Sequence, residues 1–399
     1  MKILLLENIH PGAGAVFAAA GHAVERVPHT PPRKVLAQEI GDISVLGIRS
    51  KTRVTADLLE RAPNLLAIGA FCIGTEQVDL DACSRRGVAV FNAPYSNTRS
   101  VVELALGEMI LLLRGVVGRS VDLHGGVWGK SSAGFHEIRG KKLGIVGYGN
   151  IGSQLSVLAE AMGMEVNYHD LVEKLPLGNA RKRSLEELLR VSDVVTIHID
   201  GREENRGLVG EREFAAMKDG VIFLNLSRGF VVDVDALARN VRAGKVRGAA
   251  VDVFPEEPRS NKDPFSSPLQ GLPNVILTPH VGGSTEEAQQ GIGGFVAAGL
   301  LEYLSMGSTP MSVNFPVLSS SSTPASQRHR FAHLHENLPG MLAKINDLFA
   351  RNGVNITGQR LETRGRLGYA LIDVAQGCDL GIVEELRRIP NTLRARLVY

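Results

Sequence analysis

The 399-residue sequence predicts an α/β protein made of two doubly wound parallel sheets and a small βαββαβ domain. Three observations carry this. Short apolar runs alternate with helical stretches from residue 2 to about 98, a second alternating series runs from Gly140 to Val281, and a strand-helix-strand-strand-helix-strand pattern fills the last seventy residues.

In the first series, strands are expected at Ile3–Leu6, Val24–Val27, Ile43–Ile48, Leu65–Ala70 and Val88–Phe91, with helices such as Pro32–Glu39 and Ala56–Ala62 between them. In the second, strands should end at Val146, Asp170, His198, Ser227, Asp252 and Pro279. Long helices at Ser100 to Val116 and Thr285 to Leu304 join the two series, so the later one would return the chain to the first domain. The stretch from Ser319 to Gln327 is small and polar without periodicity, which marks a linker. Beyond it, strands are expected at Arg330–Leu334, Val354–Glu362, Tyr369–Val374 and Thr392–Val398, with helices at Gly340–Arg351 and Leu380–Arg388. The exposed edge of such a sheet invites pairing with another copy. The domain boundaries are therefore 1–98 with 286–316, then 99–285, a linker at 317–329, and 330–399.

The segment from Gly144 to Gly152 places a G-x-G-x-x-G between an apolar strand and a helix. Gly147 would allow the tight turn, Gly149 the approach of a pyrophosphate, and Gly152 close packing of helix on strand. Ile151, Leu155, Leu158 and Met162 would form the apolar face of that helix. Asp170 ends the next strand, where a carboxylate bonds a ribose 2′-hydroxyl and repels a 2′-phosphate, so NAD is expected over NADP.

Composition narrows the partners. A net charge of +2 with no basic stripe gives no case for nucleic acid. Three scattered cysteines fit a reducing compartment with neither disulfides nor a metal site, so the expected location is cytoplasmic. The longest apolar stretch, Leu104 to Val117, is interrupted by Glu108 and Arg114 and is too short for a membrane span.

Ligands of open parallel sheets sit at the carboxyl ends of the strands, and there Arg228, Glu257 and His280 occur. Hydride transfer from a 2-hydroxy acid needs a base for the hydroxyl proton, which a histidine supplies in both directions. A carboxylate behind the ring fixes its tautomer, and a guanidinium grips the substrate carboxylate. Each also has a plainer reading: Arg228 as a turn residue, Glu257 as a loop acid beside the similar Glu256, and His280 as one of eleven histidines.

These residues lie in segments that closely resemble the D-isomer-specific 2-hydroxyacid dehydrogenases: Phe71–Thr75, Asn92–Ser100, the glycine loop, Ser227–Gly229, Ala250–Pro255, Thr278–Thr285 and the tail. The resemblance covers essentially the whole chain. It implies a flavodoxin-like substrate domain, a Rossmann NAD domain and an ACT domain, the small module that binds amino acids. Cofactor contacts are implied from Asn150, Ile151, Leu226, Ser227, Arg228, Asp252 and the turn His280, Val281, Gly282, Gly283. Arg49, Ser50, Gly74 and Asn97 fall where substrate phosphate and carboxylate would be held, the plainer reading of Arg49 and Ser50 being an ordinary polar loop. The implied reaction is NAD-dependent oxidation of 3-phospho-D-glycerate to 3-phosphohydroxypyruvate, which commits carbon to serine. 2-Oxoglutarate reduction is a possible side activity. His335, Asn337 and Asn355 resemble effector residues of forms inhibited by L-serine, and a homotetramer is implied. Trp128 and Lys130 resemble a loop reaching into a neighbouring subunit, although a lone tryptophan is more often core. Asp200 stands where the family often has proline. Rival readings are a relative acting on glyoxylate or hydroxypyruvate, an NAD-sensing scaffold without catalysis, and a tail that serves only to oligomerise.

Overall fold

The computed structural model describes residues 1–258, 262–320 and 328–399, so positions 321–327 of the expected linker lie outside the described residues. The chain forms two compact units, Met1–Pro94 with Gln289–Tyr399, and Tyr95–Ala288.

In the first unit, β1 (Lys2–Leu5), β2 (Ala23–Arg26), β3 (Val45–Ile48), β4 (Ala67–Ala70) and β5 (Ala89–Phe91) make a parallel sheet in the order β2-β1-β3-β4-β5. The connecting helices are α1 (Pro11–Ala19), α2 (Arg33–Glu39), α3 (Ala56–Glu60) and α4 (Leu80–Arg85). Strands β3, β4 and β5 are buried at every position, as expected of a sheet covered on both faces. The order reverses between β1 and β3, and Arg49 and Ser50 follow β3 at that crevice.

The second unit opens with α5 (Thr98–Arg114) and α6 (Val116–His124). A parallel sheet follows: β6 (Lys142–Val146), β7 (Glu165–His169), β8 (Arg181–Lys182), β9 (Val194–Ile197), β10 (Val221–Asn225), β11 (Val246–Val251) and β12 (Val275–Leu277), with α7 (Asn150–Ala161), α8 (Leu185–Val191), α9 (Glu211–Ala216) and α10 (Val234–Arg242). Its order, β12-β11-β10-β9-β6-β7-β8, reverses between β9 and β6, beside the glycine loop. The apolar face of α7 is rotated from the expectation. Gly152, Leu155, Ser156 and Ala159 are buried, whereas Met162 caps the helix and is 39% exposed. The small residues Gly152 and Ala159 let the helix lie close to the sheet, so the buried stripe follows them and not the largest side chains.

Helix α11 (Glu286–Met306) returns the chain to the first unit. The tail then forms β13 (Arg328–Glu336), α12 (Met341–Arg351), β14 (Ile356–Arg364), β15 (Leu367–Ala375), α13 (Ile382–Arg388) and β16 (Thr392–Leu397), the expected βαββαβ, in an antiparallel sheet ordered β14-β15-β13-β16. Alternation gives this sheet two apolar faces. Phe331, Ala370, Ile372 and Ala395 meet Ile345, Phe349 and Leu386 of its own helices. Ala332, Leu334, Tyr369 and Leu371 instead join the core of the first domain with Tyr303 and Phe315. Polar groups on this second face serve the C-terminus of α11, whose last carbonyls have no partner within the helix. Arg396 donates to the carbonyls of Tyr303 and Leu304, Arg330 to that of Met306, and Tyr369 to that of Gly307. Buried Arg330 is also paired with Asp373 at 2.6 Å. Among the described residues, no helix is long and apolar enough to cross a membrane.

Candidate active site

The loop after β6 has the geometry that its glycines require. Gly147 has φ of +95°, and a Cβ there would lie 2.3 Å from the carbonyl oxygen of His198. A Cβ on Gly152 would meet the Gly147 carbonyl oxygen at 2.1 Å, whereas one on Gly149 would point into open space. The first turn of α7 carries no side-chain cap, so its N–H groups remain available to an anion beside Gly149, and the fit to a dinucleotide is good. Asn150 and Ile151 begin that turn. Asp170 follows β7, and its carboxylate accepts from the N–H of Tyr148 at 2.8 Å and of Val172 at 2.9 Å. It therefore locks the glycine loop to the β7 end, a role beyond the ribose contact expected of it.

At the ends of β10, β11 and β12 the structure brings Arg228, Glu257 and His280 together. Buried Asn225 organises the first turn: its Oδ1 accepts from the N–H and hydroxyl of Ser227, and its Nδ2 donates to the Arg228 carbonyl. Leu226 and Ser227 are buried in this turn. Gly229 then touches the loop after β11, since a Cβ there would lie 1.9 Å from the carbonyl carbon of Phe254. That approach ties the Arg228 turn to the loop bearing Glu257.

His280 sits at φ +54°, a left-handed conformation uncommon for a residue with a side chain. Asp252 holds it there. The Asp252 carboxylate accepts from the hydroxyl of Thr278 at 2.6 Å and from the N–H groups of Val281 and Gly282 at 2.8 Å, and its carbonyl accepts from the His280 N–H. Both carboxylate oxygens are thus engaged by the turn, a role beyond the cofactor contact expected of this residue. Gly283 lies against Asn97, whose amide nitrogen would be 2.1 Å from a Cβ at that position.

His280 Nδ1 is 2.9 Å from Glu257 Oε2 and 3.1 Å from Oε1, and Oε1 also accepts from the Phe254 N–H. The ring therefore donates from Nδ1. Among the described residues no partner meets Nε2, which leaves it for a reacting hydroxyl. The hydrogen bond to Glu257 raises the His280 pKa above its ordinary value, against the effect of burial. Burial is the largest single influence and would raise Glu257, but the hydrogen bond and charge of His280, the Phe254 N–H and the charge of Arg228 together hold the carboxyl below its usual range. A histidine that serves as proton donor in keto-acid reduction must hold that proton beforehand, and this is the role expected of His280. Glu257→Gln should therefore move the alkaline limb of the reductive kcat/KM profile to lower pH. An unchanged limb would remove Glu257 from this role.

A second acid near this site has no such partner. Glu108 on α5 is 2% exposed, and neither carboxyl oxygen meets a hydrogen-bonding group. Burial, with a smaller contribution from Asp252, pushes its pKa up to about 8. The folded protein holds this proton more tightly than the unfolded chain, so stability is lost as pH rises from the ordinary carboxyl range through about 8. The full cost is roughly 5 kcal/mol. Glu108→Gln should match the wild type in thermal unfolding near pH 5 and exceed it increasingly towards pH 8.5. A pH-independent difference would contradict the assignment.

The remaining expected residues divide between the units. Arg49, Ser50 and Gly74 lie in the first, whereas Asn97 lies in the second. Gln77 joins the first group, its Nε2 donating to the Arg49 carbonyl at 2.7 Å and the Gly74 carbonyl at 3.4 Å. Glu7, at φ +59°, accepts from the N–H groups of Lys51 and Thr52 and so fixes the loop after β3. In the tail, His335 is buried, with Nδ1 3.1 Å from Nδ1 of His333. Asn337 donates to the Gly365 carbonyl, and Asn355 is exposed just before β14. Trp128 is 80% exposed and is not a core residue. Asp200 accepts from Arg202 and from the Asn205 amide, which closes the loop after β9 upon itself.

Residues 106–282 match the NAD-binding domain of the D-isomer-specific 2-hydroxyacid dehydrogenases, and residues 331–394 an ACT domain of the acetohydroxyacid synthase small-subunit type. The chain is 47% identical to the D-3-phosphoglycerate dehydrogenases of Haemophilus influenzae, over 100% of this chain and 97% of that one, and of Escherichia coli K12, over 100% and 98%. Among solved structures, the TT0316 protein of Thermus thermophilus superposes with a TM-score of 0.72 at 30% identity, covering 78% of this chain and all of that one.

Proposed function

The chain belongs to the D-isomer-specific 2-hydroxyacid dehydrogenases, and from that premise we propose that it oxidises 3-phospho-D-glycerate to 3-phosphohydroxypyruvate with NAD, the entry reaction of serine synthesis. The observation that carries the reading is the His280–Glu257 pair, with Nε2 left open beside Arg228.

Bound NAD supplies the acceptor for the hydride leaving C2, held by the Gly147–Gly152 loop and Asp170. The chain supplies the rest. His280 Nε2 takes the hydroxyl proton as the C2–H bond breaks and the carbonyl forms, and Glu257 stabilises the resulting imidazolium. Arg228 binds the substrate carboxylate and the oxygen on which charge changes. Arg49, Ser50, Gly74 and Asn97 are the proposed holders of the substrate phosphate and carboxylate, with Gln77 and Glu7 positioning the loops that carry Arg49, Ser50 and Gly74. In the tail, His335, Asn337 and Asn355 are proposed to bind L-serine in a homotetramer, with the tail acting as a brake on turnover.

The test is NADH oxidation by the purified protein with 3-phosphohydroxypyruvate, 2-oxoglutarate and hydroxypyruvate in parallel, with and without millimolar L-serine. Preference for the phosphorylated acid, suppressed by serine, is the expected result. Preference for an unphosphorylated acid would overturn the substrate, and indifference to serine would overturn the regulatory role of the tail.

A further inference from the structure

Within the first unit, a cleft of about 500 Å³ lies between the C-terminal ends of α3 and α4 and strand β16 of the tail. Its charged lining is Arg85, Arg86, Arg394 and Glu60, and Pro63 and Leu393 are among its apolar walls. Three guanidiniums against one carboxylate leave it with a net charge of +2. The volume falls in the range of small-ligand pockets.

The cations are held in place by different means. Arg394 runs along the turn after α4, an approach that only glycine permits, because a Cβ on Gly87 would lie 2.5 Å from the Arg394 Cβ. Its guanidinium donates to the carbonyls of Leu65 and Pro63, so it is anchored by neutral groups. Among the described residues no carboxylate pairs with Arg394 or Arg85, while Arg86 approaches Glu60 at 3.5 Å. A partly buried guanidinium without a counter-charge is a standing electrostatic cost that an anion in the cleft would relieve. Guanidinium forks suit phosphate oxygens in particular.

We propose that this cleft is a second anion site, separate from the dehydrogenase centre, that takes a small phosphate-bearing molecule. Its ligand is either inorganic phosphate or a phosphorylated three-carbon acid. Because α4 belongs to the first domain and β16 to the tail, the bound anion ties one to the other.

The test is calorimetric titration of the full-length protein with inorganic phosphate and, separately, with 3-phospho-D-glycerate, for the wild type and for the double variant Arg85→Gln/Arg86→Gln. The expected result is one binding equivalent per chain, beyond any taken by the dehydrogenase centre, that weakens at least about tenfold in the variant, following the loss of charge-assisted hydrogen bonds. Dehydrogenase kcat and KM should stay within about twofold, which also shows the variant to be folded. An equivalent lost from the phosphate titration identifies the free ion as ligand, and one lost only from the phosphoglycerate titration identifies the acid. Identical titrations of wild type and variant with both compounds would overturn the proposal.

Discussion

Replacing His280 with asparagine is expected to lower kcat by about 10³-fold while leaving NADH affinity, read by fluorescence titration, within about twofold. Asparagine is the informative choice because position 280 has φ +54°. Asparagine enters the left-handed region readily, whereas alanine there adds roughly 1 kcal/mol of backbone strain to the loss of the base. His280→Ala should therefore be both inactive and less stable, and His280→Asn inactive at nearly unchanged melting temperature. The Asp252 clamp acts on main-chain groups of the turn and should survive either change. Substantial turnover by the asparagine variant would mean that another group carries the proton.

Gly229→Ala should cost more stability than any change of a reacting side chain. Its Cβ would lie 1.9 Å from the carbonyl carbon of Phe254 and 2.5 Å from the nitrogen of Pro255, both main-chain atoms with no rotamer to yield. Backbone must move, at a cost of roughly 3 kcal/mol or more. The two segments forced apart carry Arg228 and Glu257, so kcat/KM should fall by about 100-fold or more for displacements near 1 Å. Gly149→Ala is the counterpart: the space around its Cβ is open, so the melting temperature should hold while the KM for NAD rises. Equal thermal behaviour of the two variants would count against the close contact at Gly229.

The residues legible in the sequence are those whose chemistry and local setting coincide. Glycines between strand and helix, and polar residues at strand ends, are recognisable because their partners lie nearby or their backbone demands are distinctive. Residues that hold the site from a distance are not. Glu7 fixes a loop more than forty positions away and Gln77 one nearly thirty away, and nothing around either marks it out. Asn225 looks like an ordinary strand end, yet three hydrogen bonds from its amide shape the Arg228 turn. Asp252 is visible as a strand-end acid, but its grip on the His280 turn depends on a strand pairing that brings β12 beside β11. The phase of α7 departs from the expectation at Met162 because closeness of approach, and not side-chain size, decides which residues face the sheet. Helix α6 has no buried residue, so it leaves no inward-facing stripe to read.

Over β13, β15 and β16 both faces of the tail sheet are covered, one by α12 and α13 and the other by the first domain, where Arg396, Arg330 and Tyr369 finish α11, while the edge strand β14 stays largely exposed. Such a segment cannot be treated as a cartridge. A chain cut near residue 320 would bare Tyr303 and Phe315 and strip the carbonyls of Leu304 and Met306 of their side-chain donors, so the shortened protein would be prone to clump or fray. Grafting the tail onto another scaffold meets the same obstacle in reverse, since the graft would arrive with an unsatisfied apolar side. Transplanting it calls for a matching helix end on the recipient, or for Leu334, Tyr369 and Leu371 to be recast as polar residues first.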